Sequence, residues 1–223
     1  MKILYNFASR SRPEKLIRCI ENIIQNSTHN NYVILLTLDV DDTTVANKGF
    51  YEKLVSYGAN IKPVYGFSKN KIEAINRSVW IVSDWDICIS TADDMVFTDK
   101  GFDSKIIELF NKYFPDTDGF LHLPDGKVNE RLPTLCIIGK KLYDYFGYIY
   151  NPIYSNVYCD NEQFDVVRIL NKYHYEPVHL FKHLHPIWGL SEMDDLYNRN
   201  ENKENYAIDG EIYRKRKSIN FGL

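Results

Sequence analysis

The stretch Trp85-Asp86-Ile87-Cys88-Ile89-Ser90-Thr91-Ala92-Asp93-Asp94-Met95 runs from a short apolar, β-branched segment straight into two adjacent carboxylates. A buried strand of this kind delivers Asp93 and Asp94 to its carboxyl end, the edge where open α/β sheets keep their ligands. Hard cations such as Mg2+ and Mn2+ take oxygen ligands, usually one or two carboxylates completed by substrate phosphates. The pair therefore suggests a metal–diphosphate site. The plainer alternative is that both acids only cap the turn or helix that follows.

Two further acidic sets accompany it. Asp39-Val40-Asp41-Asp42 closes the apolar run 32–38, and Asp160-Asn161-Glu162 opens a helical segment. In a parallel sheet the first set shares an edge with Asp93 and Asp94, so the two can surround one ligand. Asp160 and Glu162 could act on a substrate proton, but their position equally suits helix capping and dipole compensation. His183 and His185 are two apart and share a strand face with His179 and Phe181. His185, beside Pro186, is the candidate metal ligand; a half-buried imidazole on a polar sheet face is the alternative. Arg10 and Arg12 follow the first strand, where guanidinium groups reach phosphate or stack on a base. Lys69 has the same two options, ligand cation or ordinary surface charge. Arg214-Lys215-Arg216-Lys217 is the only dense basic run. It is expected as a solvated tail, the alternatives being a lid over a diphosphate or a contact for an anionic acceptor such as DNA. Asp194-Asp195-Leu196-Tyr197 is expected on a solvated helix surface.

The elements that must position these groups follow from periodicity. Residues 2–7 form a strand. Ser11-Arg12-Pro13-Glu14 has the form of a capping box, with Pro13 in the first helical turn. Leu16, Ile17, Ile20, Ile23 and Ile24 then recur at helical spacing, which predicts an amphipathic helix over 12–26. The continuous apolar run 32–38 predicts a strand buried on both faces. A helix over 49–57 stops at Gly58, a strand follows at 61–65, then a helix over 69–83 and the strand ending at Asp93. This β-α rhythm predicts an α/β fold with a mostly parallel central sheet and helices on both faces. The second half is less regular. It reads as helix 102–114, strands 118–123 and 134–138, helix 140–146, a loop over 148–158, helix 161–173 and a strand at 176–184. From Ser191 onward the chain is polar and charged. The expected organisation is one α/β domain over 1–190 and a polar C-terminal extension or lid over 191–223.

Bulk properties narrow the function classes. At 223 residues and 44% hydrophobic the chain can bury a sizeable core. With 27 Lys and Arg against 30 Asp and Glu the net charge is −3, which is no general footprint for nucleic acid. Cys19, Cys88, Cys136 and Cys159 are scattered without zinc-type spacing and are expected as buried free thiols in a reducing compartment. Met1 leads directly into a strand, so no signal peptide is expected. No apolar stretch approaches membrane-spanning length. The expected location is the cytoplasm, or a host's cytoplasm for a viral chain. The sequence leaves the oligomeric state open.

In order and spacing these motifs resemble the GT-A glycosyltransferases, in particular the inverting family 2 enzymes, over roughly residues 1–190. The matching segments are Asn6-Phe7-Ala8-Ser9-Arg10-Ser11-Arg12-Pro13, Leu38-Asp39-Val40-Asp41-Asp42-Thr43, Asn70-Lys71-Ile72-Glu73-Ala74-Ile75-Asn76, Thr91-Ala92-Asp93-Asp94, Asp160-Asn161-Glu162 and His183-Leu184-His185-Pro186. Two features depart from the family: Ser68-Lys69 stands where glycines often flank the Asn70 motif, and Thr91 is not an acid. The resemblance implies the GT-A (nucleotide-diphospho-sugar transferase) fold. It implies a metal-dependent, hexosyltransferase-type enzyme that moves a sugar from a nucleoside-diphosphate sugar, most often a UDP-sugar, to an acceptor hydroxyl with inversion. Asp94 would then ligate Mn2+ or Mg2+ directly, Asp93 would contact ribose or metal, and His185 would complete the metal site. Ser9, Arg10, Arg12, Asp39, Asp41, Lys69 and Asn70 would line the nucleotide. Asp160 would be the catalytic base, with Glu162 the second candidate. The acceptor would be a glycan, a lipid-linked sugar or a modified DNA base.

Three alternatives compete. Leu36-Thr37-Leu38-Asp39-Val40-Asp41-Asp42-Thr43 resembles the nucleophile motif of haloacid-dehalogenase-like phosphatases, with Asp39 attacking and Asp41 as acid/base. Against it, a full β-α unit precedes Asp39, and the interval to Asp93 is short for that family's intervening motifs. A sugar-nucleotide-forming nucleotidyltransferase would want a glycine-rich loop after the first strand, and Ser9-Arg10-Ser11-Arg12 has no glycine. A nucleotide- or glycan-binding module without turnover would retain the pocket and lack the chemistry.

Overall fold

The computed structural model describes residues 1–223. Side chains of successive strand residues point to opposite faces, and here both faces are apolar. Along β1 (Ile3–Ser9) and β2 (Tyr32–Asp39), Ile3, Tyr5, Phe7, Ile34, Leu36 and Leu38 enter one buried cluster; Leu4, Val33 and Leu35 enter the other. The first cluster receives α1 (Pro13–Asn26) through Leu16, Ile17, Ile20 and Ile23. It also takes Leu54 of α2 (Lys48–Ser56), and Ile106, Leu109 and Phe110 of α4 (Phe102–Tyr113). The second receives Ile72 and Ile75 of α3 (Lys71–Arg77), Leu142 of α5 (Lys140–Phe146) and Val167 of α6 (Cys159–Ile169). Helices therefore cover both faces of the sheet.

The remaining strands are β3 (Ile61–Gly66), β4 (Ile87–Thr91), β5 (Met95–Phe97), β6 (Phe120–His122), β7 (Cys136–Gly139), β8 (Tyr173–Tyr175) and β9 (Phe181–His183). Seven of the nine form one sheet in the order β3-β2-β1-β4-β7-β6-β8. The pairs β1–β2, β2–β3, β1–β4 and β6–β8 are parallel; β7 runs antiparallel to both β4 and β6. The sheet is thus mostly parallel, as the β-α rhythm predicts. β5 and β9 form a separate antiparallel pair, with Met95 opposite His183.

Four local expectations are corrected. Ser11 does not cap α1: Arg12 holds the cap position without a side-chain bond, and Ser11, at φ 58°, donates its N–H to Asp42 at 2.6 Å. The helix expected over 69–83 ends at Arg77 and passes into a 3-10 turn at Val79–Ile81, where the Trp80 indole donates to the Arg77 carbonyl at 2.9 Å. The strand expected over 176–184 shrinks to β9, Phe181–His183, in the small sheet. Pro177, which has no N–H for a ladder, lies between it and β8. The basic run is not a solvated tail. It ends α8 (Lys203–Ser218), where Arg216 donates to Glu162 at 2.6 and 2.9 Å and Lys217 to Asp165 at 2.8 Å.

The C-terminal segment is docked on the domain. Asp209 of α8 is fully buried and accepts the backbone N–H groups of Ser155, Asn156 and Val157. The short helix α7 (Asp195–Asn200) precedes it. The four cysteines are free and buried, and no helix is long and apolar enough to cross a membrane.

Candidate active site

Because β1, β2 and β4 are parallel neighbours, their carboxyl ends share one edge and bring together Ser9-Arg10, Asp39 to Asp42, and Asp93-Asp94. Two adjoining clefts of about 540 and 230 Å³ open there. Both are lined by Ala8, Lys71, Asn156, Leu196 and Asn200, so they form one continuous groove.

The smaller cleft is polar. Ser9, Arg10, Asp39, Lys69 and Asn70 all line it; Asp41 does not, and is gripped by Arg10 through two hydrogen bonds of 2.7 and 2.8 Å. Arg10 also donates to Asp39 at 3.0 Å, and Arg77 lies 3.4 Å from the other Asp39 oxygen while donating to the Leu38 carbonyl at 2.8 Å. Gly66 makes room for this: a Cβ there would stand 2.8 Å from Arg77 Nη1. Asp39 is thereby a fixed acceptor clamped by two guanidinium groups, a poor setting for the nucleophile of a phosphatase. Asn70 caps α3 by accepting the Glu73 N–H at 2.8 Å, and Glu73 reaches back to the Lys69 N–H at 2.9 Å. That reciprocal pair holds the Lys69–Asn70 turn against the cleft.

The larger cleft holds the acids of β4. Asp93 is buried, with one oxygen accepting from Ser9 Oγ at 2.6 Å and the other from Arg12 at 3.0 Å. Burial pushes its pKa up against the opposing pull of Arg12 and Ser9. Asp94 differs. Its Oδ1 is buried without a hydrogen bond and lies 3.4 Å from His183 Nε2, at ion-pair distance. Burial acts to raise its pKa, but His183, Arg12 and His185 outweigh it and hold the acid at about 2. The rings of His183 and His185 are 4.8 Å apart, and His185 Nε2 lies 3.5 Å from Glu201. An orphaned carboxylate oxygen beside an imidazole is a fitting donor set for a hard divalent cation. No three His, Cys, Asp or Glu side chains form a complete cage. A divalent cation here would need its remaining positions filled by phosphate and water.

Asp160 and Glu162 part company. Asp160 lines the larger cleft, and its one hydrogen bond is from the Asn161 N–H at 2.9 Å. Burial raises its pKa, with Lys71 opposing. It does not cap α6, whose cap residue is Tyr158 in the left-handed region with no side-chain bond. Glu162 is turned away from the cleft and saturated by Asn151, Tyr154 and Arg216.

Several cleft residues escape sequence inspection. Arg12 does not stand free for a phosphate: besides Asp93 it donates to Asp194 at 2.8 Å, and Lys15 joins at 2.9 Å. Asp194 also caps α7 through the Tyr197 N–H at 2.9 Å, so Leu196 and Tyr197 face the cleft and not solvent. Arg199 and Asn205 line the smaller cleft, and Glu201 lines the larger. These contacts join residues up to 182 positions apart, a separation at which no local pattern gives a signal. Lys71 and His183 were within the noted motifs and needed only their orientation.

No protein-family profile matches the chain, and no curated protein sequence does. Solved structures do. The mannosyltransferase PcManGT from Pyrobaculum calidifontis, in complex with GDP-Man and Mn2+, superposes with a TM-score of 0.62 at 9% identity, over 80% of this chain and 55% of that one. S. aureus TarS 1-349 in complex with UDP-GlcNAc gives 0.68 at 11% identity, over 93% and 64%. The same protein with UDP gives 0.62 at 13%, over 82% and 60%. The chain thus spans between 55% and 64% of the length of these structures. At such identities the likeness speaks for architecture, and together with the strand order it gives the conclusion that this chain has the GT-A fold.

Proposed function

We infer that the chain is a metal-dependent glycosyltransferase that moves a sugar from a nucleoside-diphosphate sugar, a UDP-sugar first among them, to an acceptor hydroxyl with inversion. The observation that carries this is the buried, unbonded Asp94 oxygen beside His183, in a groove that joins the Asp39 pocket to Asp160. The nucleotide would lie in the smaller cleft, with Asp39 as its fixed acceptor and Arg10, Lys69 and Asn70 along its wall. Asp94, with His183 or His185, would hold Mn2+ or Mg2+, which neutralises the charge of a departing diphosphate. Arg12 and Ser9 would hold Asp93 oriented at the ribose end of that site. Asp160 accepts the acceptor's proton while its oxygen bonds to the anomeric carbon and the bond to the diphosphate breaks on the opposite side, which inverts the centre. A carboxylate with a raised pKa is a better base than an ordinary one.

Thermal shift with UDP, GDP, ADP and CMP, with and without Mn2+, tests this on wild type and Asp94→Ala. A ligand at 100 times its Kd stabilises the folded state by about 2.7 kcal/mol. The expected result is Mn2+-dependent stabilisation by one nucleotide diphosphate, lost in Asp94→Ala. No stabilisation by any of the four overturns the assignment.

A further inference from the structure

The larger cleft continues past the metal-binding candidates. Beyond His185 the chain makes one tight turn, Pro186–Trp188, and Ile187 and Trp188 join the cleft wall. The turn is pinned. The Trp188 N–H donates to the His185 carbonyl at 3.1 Å, Gly189 closes the turn at φ 67°, and Ser191 Oγ donates to the Leu184 carbonyl at 2.6 Å. The loop between β6 and β7 is pinned as well: the buried Asp125 carboxylate accepts the N–H groups of Lys127, Val128 and Asn129 and the Thr134 hydroxyl. That loop brings Val128 and Leu132 to the same cleft and sets Lys127 Nζ 6.0 Å from the centre of the Trp188 ring. Trp188 is nevertheless 42% exposed, and its indole N–H makes no hydrogen bond within the protein. A large apolar ring carried on a pinned turn and exposed to water in a cleft wall is a platform with a polar handle.

We propose that Trp188 is the acceptor platform and that the acceptor is a saccharide, its ring lying on the indole while one hydroxyl is presented to Asp160. The proposal rests on the glycosyl-transfer assignment above and names the second substrate of that site. A pyranose has an apolar C–H face and a rim of hydroxyls, which matches an exposed indole in a cleft whose lining also holds the polar side chains of Asn156 and Asn161. A nucleic acid would need a line of cations. At the Trp188 ring the one cation is Lys127, the Arg131 guanidinium is turned back onto the Val128 and Lys127 carbonyls, and of the two cations lining the larger cleft, Arg12 and Lys71, Arg12 is taken by Asp93 and Asp194, so no line of cations runs along this mouth. A lipid chain would need an unbroken apolar wall, which Asp125, Thr134 and Asn161 interrupt.

The test uses the full chain with an oligosaccharide array and a hydroxymethylated DNA duplex as probes, on wild type, Trp188→Phe and Trp188→Ala. Tryptophan emission follows binding in solution, since the other two indoles are either buried (Trp85) or outside the cleft (Trp80). Thermal shift with UDP and GDP is recorded on the same samples. The expected result is that a saccharide binds wild type and perturbs its emission. Trp188→Ala should weaken that binding roughly tenfold or more, and Trp188→Phe should keep most of it. Saccharide binding unchanged in Trp188→Ala, binding of the duplex alone, or no saccharide bound at all overturns the proposal whatever the nucleotides do. A missing nucleotide shift in wild type strikes the donor assignment instead, so the two failures are distinguishable.

Discussion

Asp160 and Glu162 are two residues apart in one helix, yet their surroundings give them different work. Glu162 is fully buried and bonded to three side chains, one of them a charged guanidinium. Removing one partner of a buried ion pair leaves the other uncompensated, at a cost of about 3–5 kcal/mol. Glu162→Ala should therefore lower the melting temperature on the order of 10 °C, measured by calorimetry. Asp160 has no such partners, and Asp160→Asn should melt close to wild type while kcat falls by roughly 10²- to 10⁴-fold. The pH profile separates base from scaffold further. A base acts when deprotonated, and burial raises the Asp160 pKa above the ordinary carboxylate value. Activity should thus climb with pH through a midpoint above that value, and this acid limb should vanish from the residual activity of Asp160→Asn. A normal melting curve with normal turnover in Asp160→Asn would remove it from the mechanism.

The strands that carry the site were legible because each announces itself twice, by an apolar run and by the acid or arginine at or just after its end. β2 ending at Asp39 and β4 ending just before Asp93-Asp94 are read from local pattern, and parallel pairing then puts their ends together. Short elements held by distant partners were not. β5 is three residues long and exists because β9 lies opposite it, and α7 is held by an acid that answers to Arg12 at the cap of α1 and Lys15 on it. Loop 148–158 was legible as a loop, but its shape depends on α8. Asp209 gathers three consecutive backbone N–H groups, two of them from Asn156 and Val157 in the cleft wall. Without that carboxylate the three donors are left without their partner, at about 1–3 kcal/mol for each donor that stays buried. Asp209→Ala should accordingly destabilise the protein by about 2–4 kcal/mol and speed hydrogen exchange at 155–157 above that of the β1–β4 strands. Equal acceleration everywhere would mean that Asp209 supports the whole fold and not this loop.

Charge and packing together decide whether residues 191–223 are an appendage or a part of the domain. The net charge of −3 says nothing on this, and the polar composition of the segment argued for an extension. Its contacts show a docked element. Asp194 answers Arg12 beside the carboxyl edge of the sheet, Asp209 holds the 155–157 backbone, and Arg216 neutralises the buried Glu162. The three anchors lie along the whole segment, so it is fastened at both ends and in the middle. A lid that opens freely would be fastened at one end only. Truncation after residue 190 removes all three anchors at once, leaving Glu162 buried without its cation and Asn156 and Val157 without an acceptor. The combined loss, of order 5 kcal/mol or more, is comparable with the entire stability of an ordinary domain. The truncated chain should consequently fail to melt cooperatively, or melt more than 10 °C below the full chain. Hinged motion of α7 alone is compatible with this outcome, since Asp194 is its one strong tether to α1. Deletion of 191–223 with an unchanged melting curve would show that the segment is a separable lid and would move the domain boundary back to residue 190.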